Sequence, residues 1–324
     1  MMIQKKENTT PLPGVWQTIA AGFDLTSKRL WLLILPVILD SFLWLGPRLS
    51  GRPMIERFVA LLPADQAMAE LNAQILALAP RTNLFTSLSL PLVGVPALMV
   101  GATPLKTPQP TGIIELESVG AWLGLFLLFT LLGVLLTAVY FTLIAREVRQ
   151  QGSSTPPATG LFLVGQMLRL WGQLLALGLA LLTLGFVMYL PLLLMGRLFY
   201  VVSPALAALA LIMGPVIMLW LVVYLFFAPH GLILHGRSLV QAASESMRLV
   251  RVHMFSVLGL LLAVFIIRNL LGMLLLLADD GSWLTLAGIL GHAFVMTSLV
   301  TATFIFYRDR YRLLFAEVKP LPQA

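Results

Sequence analysis

The chain has no cysteine among its 324 residues, and only 11% of those residues are charged. Without cysteine it can hold no disulfide framework, no thiol nucleophile and no Cys-ligated metal or iron–sulfur centre. The scarcity of charge is equally restrictive. Ordinary soluble domains carry about 25% charged residues, and a soluble fold of this size could not hide a composition that is 59% hydrophobic. There is no Walker loop, dinucleotide fingerprint or metalloprotease motif, and the missing nucleotide motif argues against an energised pump in a single chain. No basic run alternates with aromatics, so the net charge of +7 does not point to nucleic acid. Residues 1–14 are polar and lack the apolar core of a cleavable signal. Insertion is therefore expected to depend on the first apolar helix.

What the chain does have is apolar length. Six runs, residues 30–49, 119–145, 171–195, 204–228, 253–278 and 283–307, each approach or exceed the ~20 residues a helix needs to cross the hydrocarbon core. They predict an all-α, polytopic integral membrane protein with six transmembrane helices in three pairs. A short stretch with apolar residues at helical spacing precedes each pair, at 15–28, 161–170 and 239–252. These read as amphipathic helices at the cytoplasmic interface. In the last, Val240, Ala243, Met247 and Val250 are expected on one face, with Gln241, Ser244, Glu245 and Arg248 on another. The chain then divides into a cytoplasmic N-terminus at 1–29, a first span at 30–49, an external cap at 50–118, the five-helix remainder at 119–307 and a tail at 308–324.

Within the cap, 54–62 and 67–78 read as short amphipathic helices, the former lined by Ile55, Phe58, Val59 and Leu62, and 103–111 reads as a proline-rich linker. Residues 83–101 are apolar for nearly a span's length. Yet they carry Thr86, Ser87 and Ser89, then Pro91 and Pro96 around Gly94. Proline inside a helix removes a donor and clashes with the preceding turn, so an interfacial or re-entrant element is expected, with a seventh span as the alternative.

Lys and Arg placement sets the orientation. With the N-terminus inside and six spans, fourteen basic residues face the cytoplasm and six the other side, five of those in the long loop. The two short external connections, around Arg197 and Asp279–Asp280, hold one basic residue between them. Short loops decide orientation, so both termini are expected in the cytoplasm of a bacterial inner membrane. Trp31, Trp122, Trp171, Trp283 and Tyr307 fall at span ends, where interfacial anchors sit.

Ionisable groups within spans are the default functional candidates, because hydrocarbon makes them costly. Here they are Asp40, Arg268 and His292, each about nine or ten residues, or ~14 Å, from the expected external end. Equal depth allows an Asp40–Arg268 contact with His292 nearby. That contact could be a packing ion pair or a proton- or substrate-coupled site, or Arg268 could snorkel without a partner. Arg169, Arg248 and Arg251 are candidate contacts for anionic headgroups, at about 1 kcal/mol each. His230 and His235 are five apart in a Gly-containing turn, which is not the spacing of a helical zinc pair. With His253 they read as interfacial histidines. No cofactor or metal is implied.

Residues 242–262 (AASESMRLVRVHMFSVLGLLL), preceded by Ala228–Pro229 and followed by two spans ending Phe306–Tyr307–Arg308, resemble the membrane domain attached to some bacterial glycerophosphoryl diester phosphodiesterases. They are also similar to related six-span bacterial membrane proteins of unknown function. The resemblance covers the last hundred residues best and implies a fold. The phosphodiesterase barrel has no counterpart here, and the insertion at 50–118 departs from the pattern, so no activity comes with it. The expected role is non-enzymatic: a scaffold or accessory subunit organising the lipid bilayer or a membrane-protein partner. A small transporter built on Asp40, Arg268 and His292 is the competing expectation.

Overall fold

The computed structural model describes residues 12–62, 66–89, 94–100, 103, 106–150, 160–275 and 281–315. Expectations that fall on residues 1–11, Pro91, Asp279–Asp280 and 316–324 lie outside the described residues. The described chain is all-α except for one small ladder.

Among the described residues, five helices are long and apolar enough to cross a membrane. They are α5 (Val119–Gln150), α6 (Gly160–Val202), α7 (Pro204–Leu225) with its continuation α8 (Ala228–His235), α10 (Met254–Leu275) and α11 (Leu284–Phe315). The first expected span is shorter than its sequence suggested. A 3-10 turn at Leu30–Leu33 feeds α2 (Ile34–Leu45), and the helix stops at Gly46, ahead of the helix-averse Pro47. The combined segment Leu30–Leu45 covers about 24 Å at 1.5 Å per residue.

Helix α11 is the central post. Of its most apolar stretch 72% is buried, against 6–17% for the other four spans. The reason lies in its small and hydroxylic residues: Ser298, Thr301 and Ala302 let a neighbouring backbone come close. That neighbour is α1 (Val15–Lys28), which crosses α11 between Phe294 and Arg310. Phe23 packs edge-on against Phe294, and Pro13 accepts a hydrogen bond from Arg310. At the crossing sits Gly22, where a Cβ would come 2.4 Å from the Ser298 carbonyl oxygen. The first interfacial helix is therefore docked on the bundle rather than lying apart from it.

The third such helix, α9 (Leu239–Val252), is also separate and docked, but its inward face differs from the expected one. Ala242, Ser246, Leu249 and Val250 are buried, while Val240 is 78% exposed. Ser246 explains the rotation. It donates to the Tyr224 carbonyl at 2.7 Å and accepts from the Phe227 amide at 3.2 Å, satisfying backbone groups freed where α7 gives way to α8. The second expected interfacial helix does not exist as a separate element, because residues 161–170 run unbroken into α6. The last span also continues as helix to Phe315, past the expected end at 307.

Two helices occupy the long connection, α3 (Arg52–Ala60) and α4 (Gln66–Leu78), close to the expected positions. Of the apolar face assigned to the first, only Val59 is buried, and Phe58 is 57% exposed. Unforeseen is a parallel ladder between β1 (Arg48–Ser50) and β2 (Ile113–Glu115), pairing Arg48 with Ile113 and Ser50 with Glu115. It ties the end of α2 to the start of α5 and closes the base of the connection.

Candidate functional site

The three intramembrane ionisable residues do not meet as a set. Asp40 is fully buried on α2, and His292 of α11 lies beside it, with Nδ1 3.7 Å from Asp40 Oδ2. Arg268 is on the exposed side of α10 and pairs with no carboxylate among the described residues. The ion pair expected between Asp40 and Arg268 is therefore absent. Helix α10 is held mainly by α11, and from Phe265 to Leu274 it turns most of its side chains outward, Arg268 and Asn269 included.

Asp40 has other partners. Its Oδ2 accepts the Leu98 amide at 2.8 Å and its Oδ1 the Met99 amide at 2.9 Å. Those two amides open a 3-10 turn at Leu98–Val100, whose first donors have no partner within the turn itself. The carboxylate thus caps a piece of non-helical backbone lodged in the bundle.

The rest of 83–100 follows the same rule. A 3-10 segment at Leu84–Leu88 packs against α5 so closely that a Cβ on Gly133 would meet the Ser87 carbonyl at 2.7 Å. The polar residues that argued against a spanning helix are the ones that satisfy this backbone. Asn83 Oδ1 accepts from the Leu49 and Phe85 amides, and Ser89 donates to the Val95 carbonyl at 2.7 Å. Irregular backbone at membrane depth persists only where protein groups satisfy it. The described residues 83–89 and 94–100 therefore pack against α5 and α2 as 3-10 turns and extended backbone, and Asp40 anchors the second turn.

A second polar assembly, barely visible in the residue pattern, surrounds the end of α8. His230 and His235 lie on a helix, not in a turn; the chain turns only after them, at Gly236 with φ of 61°. His230 is buried, sits 2.9 Å from the Thr303 hydroxyl and packs among Phe141, Phe227, Phe304 and Tyr307. His235 stacks on Tyr311 at 3.7 Å. Arg237 pairs with Glu245 at 3.1 Å and donates to the Tyr311 hydroxyl, which raises its pKa further above the ordinary guanidinium value. Tyr307, expected as an interfacial anchor, is fully buried here. His253, at the α9–α10 junction, has its pKa lowered by burial and by the nearby Arg310 guanidinium. Spacing alone could not bring α8, α9 and α11 together; the one visible signal was aromatic and basic enrichment at 303–312.

The three candidate headgroup contacts, Arg169, Arg248 and Arg251, are all exposed, and Arg248 lies over the Phe315 ring at 5.3 Å. Among the described residues no group of three or more His, Asp or Glu side chains gathers as a metal site. Two cavities among the described residues bear on function. One, about 250 Å³, is apolar and lies between α6 and α7 around Gly185, Tyr189, Gly214 and Pro215. The other, about 310 Å³, lies between the long connection and α5. Neither is lined by Asp40, Arg268 or His292. No family model, no curated protein and no solved structure matches the chain.

Proposed function

We propose that this chain is a non-enzymatic integral membrane scaffold or accessory subunit, organising lipid or a membrane-protein partner around a rigid core. The observation that carries this reading is the use of Asp40. Asp40, the one carboxylate among the described residues with no exposed surface, has both oxygens occupied by the backbone amides of Leu98 and Met99. A transport site needs a carboxylate free to exchange partners, and neither cavity reaches this one. Arg268, which would have to complete a transporter's polar set, faces outward on another helix.

In this reading the protein crosses a bacterial cytoplasmic membrane six times with both termini inside. The short Leu30–Leu45 helix falls below the ~30 Å of hydrocarbon, and residues 83–89 and 94–100, re-entrant beside it, make up the remaining depth. Exposed Arg169, Arg248 and Arg251 contact anionic headgroups on the cytoplasmic side. Helices α6, α7 and α10, open along most of their lengths, face lipid or a partner. In this reading the C-terminal third takes the helix plan that its sequence resemblance to the phosphodiesterase membrane domain implies.

Native mass spectrometry of the protein, extracted gently from its own membrane, tests the reading. A protein partner at fixed stoichiometry is the expected result. A lone chain whose Asp40→Asn variant stays folded yet abolishes uptake of a co-purifying small molecule would overturn it in favour of a transporter.

A further inference from the structure

The cavity between the long connection and α5 has a chemistry of its own, separate from the scaffold reading. Its walls come from Met54 and Ile55 of α3, from Arg81 and Asn83, and from Trp122 and Phe126 in the first turns of α5. Its hydroxyl groups already have work. Thr82, Thr86 and Ser87 donate to the carbonyls of Ala79, Asn83 and Leu84 at 2.8, 2.7 and 2.6 Å. Asn83 Oδ1 is likewise taken, by two backbone amides.

Two nitrogen donors on the wall, Asn83 Nδ2 and the Arg81 guanidinium, remain without a partner among the described residues. Asn83 is 5% exposed, and its Nδ2 has no hydrogen-bond partner. An amide donor buried without an acceptor costs about 1–3 kcal/mol, so the site is incomplete as it stands. Arg81, also on the wall, pairs with no carboxylate among the described residues; the neighbouring Glu56 and Glu117 are engaged by Arg52 and Arg57. Among the described residues no carboxylate lines the cavity. A free guanidinium next to a buried, unfilled amide selects an anion, and phosphate geometry suits the guanidinium fork.

The opposite wall is apolar and does not end at the cavity mouth. Along α5 the surface continues through Val119, Leu123 and Leu127, which are 62%, 54% and 59% exposed. Trp122, one turn into that helix, stands where indoles mark the headgroup level. We propose that the cavity binds the phosphate headgroup of an anionic membrane lipid, with Arg81 and Asn83 Nδ2 as the donors and an acyl chain lying along the exposed face of α5. The volume, about 310 Å³, suits a headgroup, and the chain stays in the bilayer.

The test is a lipid titration read by native mass spectrometry, with phosphatidylglycerol and phosphatidylcholine as probes. It uses the full chain carrying Arg169→Gln, Arg248→Gln and Arg251→Gln, so that headgroup contacts at the other end are not counted. Arg81→Gln alters an exposed side chain. Asn83→Asp keeps the oxygen acceptors for Leu49 and Phe85 but puts a phosphate-repelling carboxylate oxygen where the free donor was. Its thermal melt is compared with the wild type so that a folding defect is not read as lost binding. Phosphatidylglycerol should bind preferentially, and Arg81→Gln should weaken it about fivefold, the equivalent of about 1 kcal/mol. Asn83→Asp should weaken it at least as much, and equimolar glycerol phosphate should not displace it. Unchanged phosphatidylglycerol affinity in both variants would overturn the site. Displacement by equimolar glycerol phosphate would overturn the lipid assignment in favour of a soluble phosphate.

Discussion

Replacing Asp40 separates the two roles a buried intramembrane carboxylate can have. In Asp40→Asn the side-chain oxygen still accepts one of the Leu98 and Met99 amides, but an NH2 group now faces the other. One charge-assisted bond is lost and one buried amide is left opposite a donor. Leaving a buried donor unsatisfied costs about 1–3 kcal/mol. Asp40→Ala removes both acceptors, now 2.8 and 2.9 Å from their amides, and should cost roughly twice as much. His292→Gln, which keeps much of the volume of that buried ring, should cost less than either, because Nδ1 at 3.7 Å lies beyond hydrogen-bond range. Arg268→Ala should be close to neutral. Denaturant titration in mixed micelles gives the ranking, and limited proteolysis shows whether residues 83–103 are released first. Destabilisation by His292→Gln or Arg268→Ala as large as that of Asp40→Ala, or unchanged stability in Asp40→Asn, would refute this role for Asp40.

Other consequences can be checked in the same assay. Gly133→Val pushes a side chain into the Ser87 and Leu88 carbonyls, and should cost about 1–3 kcal/mol by overpacking while detaching the Leu84–Leu88 turn. Ser246→Ala strips the α7–α8 break of both its partners, with an expected loss of about 1–3 kcal/mol. Tyr311→Phe removes the hydroxyl contacts to Arg237 and Glu245 but keeps the stacking on His235, so a loss of about 0.5–1.5 kcal/mol is expected. His253 titrates lower in the folded protein than in the unfolded chain. Its neutral form is favoured by folding, so its contribution is complete above the ordinary imidazole value of about 6.5 and is lost as pH falls below it. Between pH 7 and pH 5 the melting temperature of His253→Gln should therefore fall less than that of the wild type.

Some of this was open to reading from the chain alone. Apolar length is a local property, so the long spans at 119–145, 171–195, 204–228, 253–278 and 283–307 could be located without any knowledge of packing. The proline and hydroxyl pattern of 83–101 was also local, and it correctly predicted backbone that could not be one continuous helix. Asp40 and His292 could be singled out by the cost of their burial, and the structure places them side by side.

The partners of those groups were a different matter. Arg268 has the same apparent depth as Asp40, yet helix rotation turns it outward, and depth along a helix carries no information about azimuth. The inward face of α9 was misread for a related reason: the decisive residue, Ser246, is polar, and its burial follows from unpaired backbone at Tyr224 and Phe227. The β1–β2 ladder and the aromatic assembly around His230 join segments far apart in sequence. Composition and periodicity thus determined that this chain lives among lipid, and roughly where its helices run. Only the tertiary structure decided which polar group satisfies which backbone, because backbone groups at membrane depth must find their partners within the protein itself.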